Sequence, residues 1–196
     1  MSMYSFIMPR TKSHTRRIAL LDAAVQVFAE HGLSGPISLV SRRAGVSEGS
    51  LFTYFPTKNV LILATYREVR EQMVESVMDA YPRRGTVRER LWHVWERYVS
   101  WGVDNPAERE CLRHCAVSPI IPDEARAEPT AMFVALVALE RDAVEQGLVK
   151  SLPEGMAGQV IRFLGEMTRE LIRKRPQARQ ELIETGFTLL WDALAR

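Results

Sequence analysis

Residues Gly45–Lys58 read GVSEGSLFTYFPTK. Gly45 closes one helical pattern, because glycine takes the left-handed backbone at a helix C-terminus without steric cost. Ser47 is a residue type that caps the next helix, its hydroxyl accepting a backbone N–H that no carbonyl reaches. Pro56 ends that helix, since the residue before a proline, here Phe55, is pushed out of the helical region. The spacing predicts a seven-residue helix, Glu48–Tyr54. Leu51 and Phe55 lie four apart and face inward. Glu48, Gly49, Ser50, Phe52, Thr53 and Tyr54 are left near or on the open face. Two aromatics on so short a helix make a poor surface for simple solvation, so the helix reads as one displayed for insertion.

Upstream, Thr15–His31 carries Ile18, Leu21, Ala24, Val25 and Phe28 at helical spacing, ending at Gly32. Pro36 is suited to open a second helix, with Ile37, Val40 and Ala44 facing a core. Helix, three-residue glycine turn, helix is the helix-turn-helix pattern. Its displayed helix suits the DNA major groove. Ser50 and Thr53 can bond base edges, aromatic and methyl groups can meet thymine methyls, and the Tyr54 hydroxyl can reach a phosphate. The helix start at Ser47 offers free N–H groups to phosphate. Lys58 begins the next helix beside the same backbone, and one of Arg42 and Arg43 should face it. The charge distribution agrees. Residues 1–58 hold seven Lys or Arg against three Asp or Glu, while the remainder holds 19 against 21. A basic front on a near-neutral body points to a polyanion partner for the front. Arg10, Lys12, Arg16 and Arg17 belong to a segment read as an arm over residues 1–13 and the start of the first helix.

Beyond Thr57, which caps a helix to about Ala80, helical patterns follow from Thr86 to Asn105, Glu108 to Val117, Pro129 to Gln146, Pro153 to Arg175 and Gln177 to Ala195. Ser118–Asp123 (SPIIPD) reads as a loop. No β pattern occurs, so the expected fold is all-α with about nine helices. The last two helices are apolar on more than one side, and such a helix must cover two surfaces. One surface is its own core and the other a matching chain, giving a homodimer built as a four-helix bundle. Phe163, Met167, Leu182, Phe187, Leu190 and Trp191 are the candidates for that interface.

The segments Ala24–Gly32 (AxxVFAEHG) and Arg42–Lys58 (RRAGVSEGSLFTYFPTK), with the nine-helix plan, resemble the TetR family of bacterial transcriptional regulators. The resemblance is specific over about Arg16–Leu63 and architectural after that. It implies a three-helix DNA-binding domain, a connecting fourth helix, and a C-terminal domain that binds a small effector and dimerises through its last two helices. Carried over by position, DNA contact falls on Glu48, Gly49, Ser50, Phe52, Thr53, Tyr54 and Lys58, to which the residue reading adds Ser38, Arg42 and Ser47. This chain departs from the family in three places. Glu48 stands where a basic or Gln-like residue is common, and reads as favouring the positive end of the helix dipole. Pro36, Ile37 and Leu39 open the second helix in place of polar residues, leaving Ser38 as the phosphate contact there. Phe52 replaces the commoner tyrosine. An effector pocket in this family lies among helices four to eight. Met73, Trp92, Trp95, Tyr98, Met132, Phe133, Phe163 and Met167 are the candidates for its wall, which argues for a hydrophobic or aromatic effector.

The only cysteines, Cys111 and Cys115, fall on one helix face in CLRHC. No second pair exists to complete a metal site, and both read as buried structural thiols. HExxH, GxSxG and a glycine-rich phosphate loop are all absent, so no enzyme and no cofactor is expected. Charges interrupt every apolar run, which excludes a membrane helix and points to the cytoplasm. The expected organisation is a disordered segment or basic arm over 1–13, a DNA-binding domain over 14–58, and an effector and dimerisation domain over 59–196. The regulator is expected to act as a repressor on a near-palindromic double-stranded operator. A helical protein–protein adaptor that binds no DNA is the competing class.

Overall fold

The computed structural model describes residues 8–153 and 155–196, and side chains from residue 13 onward. Among the described residues it is all-α: α1 Met8–His31, α2 Ile37–Arg43, α3 Glu48–Tyr54, α4 Lys58–Met78, α5 Val87–Asp104, α6 Pro106–Ala116, α7 Asp123–Ala127, α8 Ala131–Glu145, α9 Met156–Lys174 and α10 Arg179–Leu194. A 3-10 turn, Pro176–Ala178, precedes α10, and Val149 and Ala195 form one isolated β-bridge. No described helix is long and apolar enough to cross a membrane.

Two expectations about elements change. The helix expected from Thr15 is already formed at Met8. Its only early proline, Pro9, falls in the first turn, where a missing N–H costs nothing. The arm expected over residues 1–13 is helical from Met8, its first seven residues lie outside the described residues, and so do the side chains of Arg10 and Lys12. The second change is α7, which adds a tenth helix. Five residues are too few to show a period, and this turn is held from outside its own sequence. The Arg126 guanidinium donates to the carbonyls of Cys115 (3.1 Å) and Ala116 (2.6 Å) at the end of α6. Arg70 of α4 donates in turn to the Ala125 carbonyl (2.9 Å) in α7. The remaining boundary shifts are local: α8 starts after a Thr130 cap rather than at Pro129, and α9 after Gly155 rather than at Pro153.

The chain divides into two compact units. The first runs to Arg70 and also takes in Ala107–Ala127, so α6 and α7 group with α1, α2 and α3. Its buried side chains include Leu20, Phe28, Val40, Leu51, Leu61 and Cys111. The second unit is Glu71–Pro106 and Glu128–Arg196, with α9 packed on α5 and α10. Its centre is Trp95, fully buried, whose indole N–H donates to the Ile183 carbonyl of α10 at 2.9 Å. Gly186 lets the two helices meet there: a Cβ at that position would stand 2.6 Å from both the Trp95 ring and Thr168 Oγ1. A reciprocal arrangement joins α5 and α9. The Arg169 side chain, 3% exposed, lies over Gly102 and the Tyr98 ring, and pairs with Glu166 at 2.8 Å. Asp104 and Arg179 add a two-point fork from α5 to the start of α10, at 2.6 and 2.7 Å.

Candidate nucleic-acid interface

The turn that mounts α3 is built from backbone bonds the sequence makes possible. Gly45 has φ +66°, which a side chain rarely tolerates. With Gly45 there, Val46 N–H donates to the Ser41 carbonyl (3.0 Å) and Gly45 N–H to the Arg42 carbonyl (3.2 Å). This is the paired closure of a helix end by a left-handed residue. Ser47 caps α3, accepting from Ser50 N–H at 3.2 Å. Leu51 and Phe55 are 0% and 2% exposed and anchor α3 from beneath. Phe55 leaves the helix with φ −132° ahead of Pro56, and Thr57 caps α4 through Val60 N–H at 3.2 Å. Pro36 sits at the cap of α2 rather than in its first turn, with no side-chain cap bond.

With α3 pinned on one side, its other side is open. Ser47, Glu48, Gly49, Phe52 and Thr53 are exposed, and Ser38, Ser50, Tyr54 and Lys58 are half-buried. The Thr53 hydroxyl donates to the Gly49 carbonyl at 3.1 Å, so its lone pairs are what it offers outward, matched to an amino group on a base edge. The two arginines separate cleanly. Arg43 forks onto Glu30 at 3.0 and 2.6 Å, while Arg42 is exposed with no carboxylate partner among the described residues. Partial burial pushes the Lys58 ammonium pKa down. Arg17, read only as part of a basic run, has its guanidinium 5.7 Å from the centre of the Phe55 ring. The aromatic that anchors α3 thus also holds a cation beside it. Nothing in the spacing of the sequence pairs these two residues, 38 positions apart.

The expected effector residues stand in several environments. Trp95 is sealed in the core, and Tyr98 lies under Arg169. Met73 and Met132 are half-buried, whereas Phe133, Phe163 and Met167 are exposed. Trp92 lines a cleft of about 390 Å³ with Thr86, Arg88, Glu89, Glu184, Phe187 and Thr188. Glu89 there accepts from the Thr86 N–H and hydroxyl, which hold its carboxyl below the usual range. A second cleft of about 430 Å³ is polar, and its charges are spent on one another, as in the Asp104–Arg179 fork.

Of the expected interface residues, Phe163 and Met167 are exposed, Leu182 and Trp191 are half-buried, and Phe187 and Leu190 belong to the unit's own core. Both sit in the buried cluster of α5, α9 and α10, with Phe187 edge-on to Trp92 at 5.0 Å. Leu189 (47% exposed) and Met156 (45%) stand outward in their place. Cys111 and Cys115 are free thiols, both buried. Among the described residues no group of three or more His, Cys, Asp or Glu is arranged to hold a metal ion.

Residues 20–65 match the family described as bacterial regulatory proteins of the tetR family. Over 80 residues the chain is 38% identical to the HTH-type transcriptional regulator BetI of Escherichia coli, an alignment covering 39% of this chain and 40% of that protein. A solved TetR family transcription regulator from Marinobacter aquaeolei VT8 superposes with a TM-score of 0.83 at 26% identity, over 95% of this chain and 98% of the other. The TetR-like regulator LfrR of Mycobacterium smegmatis, solved in complex with proflavine, superposes with a TM-score of 0.65 at 25% identity, covering 90% and 95%. Residues 20–65 thus carry the sequence of the tetR family's regulatory proteins, and the whole chain shares the fold of solved TetR family regulators. Its sequence match spans about two fifths of the length of the curated relatives, 42% and 40% for the first two.

Proposed function

We propose that this chain is a homodimeric, sequence-specific DNA-binding regulator that represses until a small effector releases it from a near-palindromic operator. The first unit reads DNA and the second binds effector and dimerises. The observation that carries the reading is the mounting of α3: anchored by Leu51 and Phe55, fixed by the Gly45 turn, and open at Glu48, Gly49, Phe52 and Thr53. The chemistry is binding rather than catalysis, in the cytoplasm where the DNA is. Two copies of α3, presented by a two-fold dimer, read successive major grooves. Arg42 and Lys58, with Arg17, meet phosphates, while Ser50, Phe52 and Thr53 meet base edges. The effector acts by binding more tightly to the dimer whose reading helices are wrongly spaced for one duplex, which shifts the population away from DNA.

The division of labour is testable by selecting bound duplexes from a random pool and measuring affinities on the winner. Lys58→Ala and Tyr54→Ala should weaken binding across all sequences, and Thr53→Ala should change base preference. If about six phosphates are contacted per dimer, affinity falls by about three decades between 50 and 200 mM salt. A protein with no salt-dependent retention on DNA, and indifferent to substitution of Thr53 or Lys58, is an adaptor instead.

Dimerisation draws its support from the outward stripe of α9. Met156, Phe163 and Met167 are exposed at helical spacing, with Leu189 exposed on α10. Met167→Asp is expected to convert the dimer to monomer in analytical ultracentrifugation at micromolar concentration, with the helical circular dichroism retained. A Met167→Asp protein still sedimenting as a dimer rejects this face.

A further inference from the structure

Three tryptophans lie on α5, and the fold buries two of them, Trp95 and Trp101, at 0% and 8% exposed. Trp92 is left half-buried at the cleft between α5 and α10, where its ring meets Phe187 edge-on at 5.0 Å. Phe187 in turn lies 6.4 Å from Trp191, tilted by 32°, and Phe187 with Trp92 gives the cleft an aromatic floor. A planar cation already stands on that floor. The Arg88 guanidinium is 5.8 Å from the centre of the Phe187 ring and 5.6 Å from that of Trp191. Arg88 is exposed and forms no ion pair with a carboxylate among the described residues, so ring faces alone hold it, and weakly. The rim carries the opposite sign. Glu89 spends only Oε2, on Thr86, and Glu184 spends Oε1 on Gln180 at 2.7 Å, leaving each carboxylate an oxygen facing no partner of its own chain.

We propose that this cleft is a binding site for a planar aromatic cation, and that Arg88 is its internal stand-in, swung out when the ligand stacks on Phe187 beside Trp92 under the charge of Glu89 and Glu184. A cleft of about 390 Å³ is of the size that holds small ligands. The guanidinium shows what the floor accepts: a flat, delocalised positive charge. The two carboxylates give a fixed cation on the ligand a return that a neutral ring does not receive. That occupancy of this cleft releases DNA rests on the regulatory reading above; the binding itself does not, and it is measured without DNA.

The test is titration of the full chain with ethidium, followed by quenching of tryptophan fluorescence and by dye anisotropy, with neutral phenanthridine as the uncharged comparison. Saturable binding is expected, weaker by about tenfold or more for Trp92→Ala and by several-fold for Glu184→Gln and for phenanthridine. Arg88→Ala removes the competitor and should tighten binding several-fold. No merely structural role for Arg88 predicts a gain, and Arg88→Ala and Glu184→Gln alter only exposed side chains, so the test survives if Trp92→Ala folds poorly. Weaker binding by Arg88→Ala would mark Arg88 as an anchor for anions and overturn the proposal. So would ethidium affinity indifferent to Glu184, or absent binding together with a Trp92→Ala protein that no longer dimerises, which would assign the cleft to a second copy.

Discussion

Trp95→Ala is expected to cost about 3–5 kcal/mol of folding stability, the range for truncating a fully enclosed tryptophan. The ring is 0% exposed and wedges over Gly186 with its Cζ2 2.6 Å from where a Cβ would be. So close a seat cannot be refilled by rotation of a neighbour, because α10 contributes backbone there and not a side chain. The indole N–H bond to Ile183 also disappears, but that costs little extra, since removing the donor leaves behind only a carbonyl already inside a helix. Against a total stability of about 5–15 kcal/mol, the loss is about a fifth or more. For a chain of this length it should lower the melting temperature by about 6–20 °C. Trp92→Ala, three residues away on the same helix, should shift it by a small fraction of that. Urea titration of the two variants side by side checks the contrast. Equal midpoints would mean that the inward side of α5 has been assigned to the wrong tryptophan.

That contrast marks where reading the sequence stops. The spacing of Trp92, Trp95 and Trp101 shows that they cannot share a narrow stripe, but not which of them is enclosed, because enclosure is decided by Gly186 on a helix some ninety residues later. The same holds for α10. Leu189 and Leu190 are neighbours in sequence about 100° apart around the helix, one 47% exposed and the other 0%. A helix apolar on both sides carries no local signal of which side is its own core. The helix-turn-helix half is legible because its determinants are local. Gly45, Ser47 and Pro56 fix the turn and both ends of α3 by backbone chemistry, and Leu51 with Phe55 fixes its inward face within a single turn. Where tertiary partners intervene, legibility fails even there. Arg42 and Arg43 look equivalent until Glu30, thirteen residues upstream of Arg43, takes one of them. The short α7 has no period to read and depends on bonds beyond its own turn, from its Arg126 to the end of α6 and from Arg70 of α4.

Gly49→Ala is expected to separate stability from DNA binding more sharply than any other substitution in the reading helix. Glycine inside a helix costs about 0.5–1 kcal/mol relative to alanine. A protein accepts that cost where a Cβ would collide or where φ must be positive, and at Gly49 neither holds. A Cβ built there meets nothing within 4 Å, and φ is not in the left-handed region. The fold therefore gains from alanine, and the melting temperature should rise or stay level. The reason for glycine must lie outside the chain, on the face that also carries Glu48, Phe52 and Thr53, where a backbone without a side chain allows the closest approach to a groove. A methyl group pressed into such a contact costs about 1–3 kcal/mol. It does so in both halves of a symmetric dimer, and every 1.4 kcal/mol is tenfold. Operator affinity should thus fall by about a hundredfold, measured by fluorescence anisotropy on the selected duplex at fixed salt. Gly49→Ser should fall similarly, which separates the steric effect from simple loss of helix flexibility. An alanine variant that is more stable and still binds at the original strength would show that no surface comes close to α3 at this point, and that the helix does not lie in the groove on this face.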